Sequence, residues 1–337
     1  MDDTIVSEQD DVGASDSGDE VEEIIEETLF KKSAVREMVL HVASLEDGQS
    51  EEDSHSERLE EPLMTLVELS AVEAVSVFLF GEGAISIFAG MLAKSSAVRT
   101  QELVLTILAN ISCVKSIAQE MGTDALLSNI TSLIILKSDD ARVIAEGCRL
   151  LTSVVLRDLS KTWTQTFLSL NGLASIIQMV NNTLNASLLS ALLALLQMLL
   201  GTQSDDCSFM SDADLTNLLS FCSSFLIDTL STFSSAPPAP HAATDEHPTS
   251  PSPSLAATEA RQRGEPWSTD LSSEQEASLM AVLDILARLG ATVRGTRAVH
   301  AVEGLVPALQ LMARSLPCSP ALHDSVMATL DALEPAP

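Results

Sequence analysis

Apolar residues recur along this chain at helical rather than strand spacing. Val35, Met38, Val39 and Val42 stand at i, i+3, i+4 and i+7, the stripe of an amphipathic helix, and predict one from Ile24 to Leu45. A second stripe runs from Leu63 to Phe80 through Leu66, Leu69, Val72, Val77 and Phe78. Gly81 and Gly83 punctuate it as a helix-end turn. Between the two lies an acidic, serine-containing stretch, Glu46 to Glu61, which reads as a loop.

Further on, the pattern repeats. The polar break Ser95-Ser96 recurs as Ser138-Asp139 and again as Asn181-Asn182, 43 residues apart each time. A short apolar helix precedes each break: Ile85 to Leu92, Leu126 to Leu136 and Leu173 to Val180. A longer one follows: Val98 to Ser112, Ala141 to Leu156 and Ala186 to Leu200. A period near 43 of short helix, tight turn and long helix is the signature of an armadillo or HEAT array. A single unit of such an array cannot cover its own apolar face, so neighbours stack to do it. The expected fold is an all-α, armadillo/HEAT-like helical-repeat solenoid.

Leu215 to Leu230 reads as a further helix. Residues 233–271, which include "APPAPHAATDEHPTSPSPS", read as a Pro/Ser-rich linker or long loop. Ser272-Ser273-Glu274-Gln275-Glu276 then offers overlapping capping boxes for a helix from Glu274 to Leu289. Helices over Val299–Ala313 and Pro320–Leu333 complete a C-terminal helical block, 272–334, suited to capping the repeats of 24–232.

Composition supports this and narrows the function. Aromatic residues are 3% of 337 and Tyr is absent, so Leu, Ala, Ile, Val and Ser carry the packing, which favours helices over sheets. Twelve of the first thirty residues are acidic and none is basic. Residues 1–23 cannot bury enough apolar surface to offset chain entropy and read as a disordered acidic tail. The net charge of -30 disfavours nucleic acid and anionic membranes and favours a basic partner or plain solubility. The five cysteines (Cys113, Cys148, Cys207, Cys222, Cys318) form no C-x-x-C pair and read as reduced thiols. The acidic start lacks the apolar segment of a signal peptide. Residues 162–204 contain no charge, yet the Asn, Ser and Gln among them and the lack of basic flanks favour a buried repeat helix over a membrane span.

No residue set recommends catalysis. The six histidines are scattered, and no P-loop, G-x-S-x-G or H-E-x-x-H occurs. "GEGAIS" at Gly81 follows a helix rather than a strand and lacks the later glycine of a phosphate loop. The expectation is therefore no enzyme, no catalytic or metal site, no cofactor and no small-molecule substrate, but a protein partner bound along the repeat surface. The candidate contacts are Arg99, Asn110 and Arg142. In peptide-binding armadillo proteins an Asn on the long helix holds the partner's backbone. Asn110 in "TILANIS" stands at that place, but Ser153 and Leu196 follow it one and two periods on, so no Asn ladder continues. The plainer role for Asn110 is a polar cap or an inter-helix hydrogen bond. Arg99, Arg142 and Arg149 start or line the long helices, where they could meet an acidic peptide or the chain's own acidic tail.

The stretch "VSVFLFGEGAISIFAGMLAKSSAVRTQELVLTILANIS", with "EGCRLL" at Glu146 to Leu151 and "EETLFKKSAVREMVLHV" upstream, resembles the serum amyloid A-like (synoviocyte proliferation-associated) protein family. The resemblance covers residues 22–157 and fades through Leu200. It implies an armadillo-like, non-enzymatic protein, largely nuclear, that promotes cell proliferation; the favoured reading of the whole is a scaffold or adaptor in the nucleus or cytoplasm. Two other readings stay open: a transport-type adaptor for basic cargo, with the acidic tail as bait, and a membrane-associated protein using residues 162–204.

Overall fold

The computed structural model describes residues 24–25, 30–46, 52–121, 130–132, 138–157, 162–202, 209–235, 272–302, 304–315 and 320–333. Its elements are helices: α1 (Lys32–Glu46), α2 (Glu52–Ser70), α3 (Glu73–Gly81), α4 (Ala84–Lys94), α5 (Val98–Ile111), α6 (Lys115–Met121), α7 (Ala141–Val155), α8 (Thr162–Ser169), α9 (Gly172–Asn182), α10 (Ala186–Thr202), α11 (Asp212–Ser235), α12 (Ser273–Gly290), α13 (Val293–Ala301), α14 (Leu305–Ser315) and α15 (Pro320–Leu333). Among the described residues the only β pairing is an isolated antiparallel bridge between Ile24 and Lys31.

The helices form two stacked layers. In the inner layer α2, α5, α7, α10, α12 and α15 pack each on the next. In the outer layer α1 meets α4, α9 meets α11, and α11 meets α14. Short helices α3, α8 and α13 enter the triplets α3–α4–α5, α8–α9–α10 and α13–α14–α15. The repeat is thus a three-helix unit, where the periodicity alone showed two. The C-terminal helices continue the same ladder, because α12 lies directly against α10.

Local chemistry sets the boundaries. Asp140 Oδ1 accepts from the amides of Arg142 (2.9 Å) and Val143 (3.3 Å) and opens α7, supplying acceptors to otherwise orphaned donors. Asn185 Oδ1 does the same for Leu188 at the start of α10. Ser272 and Gln275 close a reciprocal capping box on α12. Gly83 turns α3 into α4 at φ 75, a left-handed conformation that costs glycine nothing. At the α8–α9 corner Asn171 takes φ 56, and a Cβ on Gly172 would lie 2.6 Å from the Phe167 ring.

Four expectations are corrected. The helix read from Ile24 begins at Lys32, because residues 24 and 31 pair in a bridge that seats Ile25 in the core at 3% exposure. The acidic stretch read as a loop to Glu61 is helical from Glu52; Glu, Ser and Arg tolerate a helix well, and acidic side chains favour its N-terminal end. The stripe from Leu63 to Phe80 is two helices, bent by 117° at residues 71–72. Val299 to Ala313 is also two, divided at Gly304 with φ 87. Most of the helix expected at Leu126–Leu136, the acidic tail 1–23 and most of the linker lie outside the described residues; 130–132 are helical.

Apolar burial holds the ladder. Val104, Ile107 and Leu108 of α5, Leu150, Leu151 and Val154 of α7, and Leu192, Leu193, Leu195 and Leu196 of α10 are fully buried, each worth about 1.5–3 kcal/mol. Partly exposed ion pairs add about 0–1 kcal/mol each, so they set register rather than stability. The uncharged run 162–202 folds into α8, α9 and α10, with the α10 leucines facing α7 and α12. Among the described residues no single helix is long and apolar enough to cross a membrane.

Candidate functional site

Stacking the inner helices leaves one row of positions on each outside the apolar seams. On α2 these are Glu60, Glu61, Met64, Thr65 and Glu68, which line a groove of about 380 Å³. On α5 they are Arg99, Glu102, Thr106 and Asn110, and on α7 Arg142, Glu146, Arg149 and Ser153. On α10 the row is Ser190, Ala194, Gln197 and Gly201, at i, i+4, i+7 and i+11. Each helix therefore offers the next a polar or small residue about one repeat away in sequence.

Those residues are cross-linked from helix to helix. Arg99 Nε donates to Glu60 Oε1 of α2 at 2.9 Å, and its Nη1 lies 3.0 Å from Glu102. The hydrogen bond to Glu60, seconded by Glu102, holds the Arg99 guanidinium above its usual range. Arg142 Nη1 reaches the same Glu102 oxygen at 3.5 Å, and its Nε lies 3.6 Å from Asp140. That buried oxygen, Glu102 Oε2, has no well-aligned hydrogen-bond donor; it meets both guanidinium groups as charge. One chain of charges thus ties α2, α5 and α7.

Asn110 is the second tie. Its Nδ2 donates to the Val67 carbonyl and to Ser70 Oγ, both at 3.1 Å. Val67 belongs to the last turn of α2, where carbonyls lack intrahelical partners. Asn110 Oδ1 accepts from Arg149 Nη1 at 3.0 Å, while Arg149 also donates to the Thr106 carbonyl at 3.3 Å and to Glu146. Asn110 therefore joins three successive inner helices, which is the inter-helix role its spacing allowed. One repeat on, Ser153 Oγ donates to the Ser112 carbonyl at 3.2 Å. Further along, Gln197 donates to Asp284 of α12 at 3.1 Å, and Arg288 pairs with the same carboxylate at 2.7 Å. The Arg288 guanidinium lies over Gly201, where a Cβ would stand 2.9 Å from Nη1.

The three sequence candidates thus share one face. Arg99 and Asn110 are committed to neighbouring helices; Arg142, with 60% of its side chain exposed, has the most surface left for a partner. Reading the sequence placed Arg149 along the long helices but missed its tie to Asn110, and it missed Glu102 and Glu60 as parts of the same network. Their 39–40-residue offsets from Asn110, Arg142 and Arg99, close to one period, were the signal that could have found them. Among the described residues no group of three or more His, Cys, Asp or Glu could hold a metal ion.

No family model matches the chain. Protein saal1 of Xenopus tropicalis is 26% identical over 151 residues, 42% of this chain and 33% of that protein. Protein SAAL1 of Homo sapiens is 26% identical over 133 residues, 38% and 28% of the two chains. Protein saal1 of Danio rerio is 26% identical over 160 residues, 47% and 34%. The match spans about a third of the length of these curated relatives. Among solved structures, the designed armadillo repeat protein YIII(Dq)4CqI superposes with a TM-score of 0.55 at 13% identity, covering 89% of this chain and all of that one. SYS-1 superposes with a TM-score of 0.56 at 11% identity, covering 90% of this chain and 48% of its own. The fold is an armadillo-like array of helical repeats, and the resemblance to the serum amyloid A-like proteins holds.

Proposed function

We propose that this chain is a non-enzymatic scaffold or adaptor that binds a segment of a partner protein along the inner helical face. The observation that carries this is the continuity of that face: six helices in one stacked row, with a solvent-reaching row of polar and small side chains running across α2, α5, α7 and α10 and on to α12. An array of this kind presents an extended binding surface rather than an enclosed reaction site. Of the three sequence candidates Arg142 keeps the most surface for a partner, and Arg99 and Asn110 keep the surface in register. Its site of action in this reading is the nucleus or cytoplasm and its role the promotion of cell proliferation, as the sequence resemblance to the serum amyloid A-like family implies.

Partner capture tests the reading. Proteins retained from a cell lysate by the full chain and by a Ser190→Arg/Arg142→Glu variant are compared by quantitative mass spectrometry. Circular dichroism confirms that the variant stays helical. Loss of the specific set with the variant supports the inner face as the docking surface; recovery of the same set from both overturns it.

A further inference from the structure

We infer that the N-terminal end of the inner face, on α2, takes a short basic partner segment carrying an aliphatic side chain. This rests on the inner face being the docking surface, and it names the chemistry of what docks there.

Three observations converge on α2. The first is position. Among the described residues α1, α3 and α5 pack against α2 and no further inner-layer helix does, and the row of Glu61, Met64 and Glu68 stays exposed. The second is an exposed apolar anchor. Met64 is 44% exposed and sits within the groove between Glu60, Glu61 and Glu68. A flexible thioether in a shallow groove adapts to a partner's aliphatic side chain. The third is the charge balance of the whole face. The arginines on α5, α7 and α12 each have a carboxylate: Arg99 has Glu60 and Glu102, Arg142 has Glu102 and Asp140, Arg149 has Glu146, and Arg288 has Asp284. Glu61 and Glu68 form no ion pair among the described residues, and against the exposed Arg58 three residues before Glu61 they leave a surplus of negative charge; Thr65 Oγ1 donates only to the Glu61 carbonyl.

The surplus decides the occupant. An acidic segment would break existing ion pairs to reach an arginine, and it would meet the unpaired glutamates. A lysine or arginine gains Glu61 and Glu68 without displacing anything. A second copy of the chain is a poor fit. It carries a net charge of -30, and its own end helix α15 presents Asp324 and Asp331 beside the exposed Met327. The chain's N-terminal residues, acidic throughout 1–23, are repelled in the same way. Charge complementarity of this kind sets partner choice and association rate, and the apolar anchor supplies the desolvated contact.

The test uses the full chain and a fluorescein-labelled synthetic dodecapeptide of Lys and Arg with Leu at every fourth position, followed by fluorescence anisotropy. Four variants separate the alternatives. Glu61→Lys/Glu68→Lys removes the surplus, and Met64→Ser removes the anchor without changing charge. Glu37→Lys/Asp331→Lys makes the same change in net charge at exposed positions elsewhere. Ser190→Arg obstructs the middle of the inner face. The expected result is about tenfold weaker binding for each of the first two and a change of less than about threefold for the third. A peptide in which Ser replaces Leu loses affinity for the wild type and is indifferent to Met64→Ser. Equal binding by all variants places the peptide on the acidic N-terminal residues and overturns the inference, as does preferential binding of a Glu/Asp/Leu peptide. If lysate partners are lost with Ser190→Arg while the α2 variants bind the peptide like wild type, the inner-face reading stands and this inference alone falls.

Discussion

Asn110 offers the sharpest test of how this array is held in register. Replacing it by alanine removes two donations to the end of α2, at 3.1 Å each, and the acceptor for Arg149 at 3.0 Å. A neutral intramolecular hydrogen bond is worth about 1 kcal/mol net, and one to a charged group about 1.5–3 kcal/mol. Ser70 Oγ still donates to the Val67 carbonyl at 2.9 Å, so that carbonyl is not orphaned, which lowers the cost. The sum, discounted for this rescue and for the remaining partners of Arg149, is a loss of about 2–3 kcal/mol. Asn110→Asp separates geometry from charge: it keeps an acceptor for Arg149 but points an anion at the C-terminal carbonyls of α2, against the helix dipole. It should also destabilise, despite a stronger pairing with Arg149. Urea unfolding followed by circular dichroism gives the total. Hydrogen exchange of peptides covering residues 66–74 gives the local effect, since repeats can open separately. A cycle with Arg149→Ala should return a coupling of about 0.5–1.5 kcal/mol. A loss below about 0.5 kcal/mol for Asn110→Ala, with no faster exchange at the end of α2, would refute the argument that Asn110 ties three helices together.

Other outcomes follow from single sites. Burial pushes the thiols of Cys148 and Cys222 up to about 12, while Cys113 is exposed; iodoacetamide at pH 8 followed by peptide mass mapping should modify Cys113 and leave the other two until the chain unfolds. Burial opposes ionisation of Asp140, but the amides of Arg142 and Val143 and the charge of Arg142 outweigh it and hold its carboxyl below the usual value. Its stabilisation of α7 is therefore complete above the unfolded-state value near 3.9 and is lost as pH falls through the lower folded value. Asp140→Ala should cost about 1 kcal/mol at pH 7, with the gap in melting temperature to wild type closing toward pH 3. Finally, the outer-to-inner turns at 95–97 and 183–185 are three residues long, whereas α11 and α12, which pack on each other, are separated by residues 236–272. Replacing 237–270 with about ten Gly/Ser residues should leave the helical signal intact and shift Tm by no more than a few degrees, because loop-closure entropy changes slowly with length; loss of the C-terminal helices on shortening would show the segment to be structural.

The period was legible because each layer must bury a like face on the next, so the polar turns fall at nearly equal intervals. The long helices α5, α7 and α10 were read to within about two residues for the same reason. Their interruptions were not. Ser70-Ala71-Val72 carries no glycine or proline, and the chain bends there because Ser76 Oγ donates to the Ser70 carbonyl at 2.7 Å, Asn110 Nδ2 donates to Val67, and α5 fills the corner. Only the first of these contacts is local, and a serine at that spacing is no signal of a bend by itself. Residues 52–61 were misread for the opposite cause, since an acidic composition fits both a solvated loop and a solvated helix face. Of the candidate site, Arg99, Asn110 and Arg142 were found by position along the repeat. Their acidic partners were hidden because Glu60 and Glu102 look, one at a time, like any exposed carboxylates.

The way the inner face satisfies itself bears on what kind of binding it can support. A face whose charges were all free would hold any oppositely charged chain and discriminate little. Here the central arginines already have carboxylates, so a partner that relies on charge alone gains at α5 and α7 only what it gives back in broken pairs. The α10 row contributes no charge at all, only Ser190, Ala194, Gln197 and Gly201, with Gln197 and Gly201 already met by Asp284 and Arg288. Selectivity must then come from shape along the middle of the ladder and from the few unmatched groups at its end. This predicts a division of labour that affinity data can resolve: substitutions at Glu61 and Glu68 should act on the association rate and its salt dependence, while filling the row at Ser190 or Ala194 should act on dissociation. If both classes of variant changed only the association rate, the middle of the face would be a bystander, and the armadillo-like ladder would serve to hold α2 in place rather than to read a partner along its length.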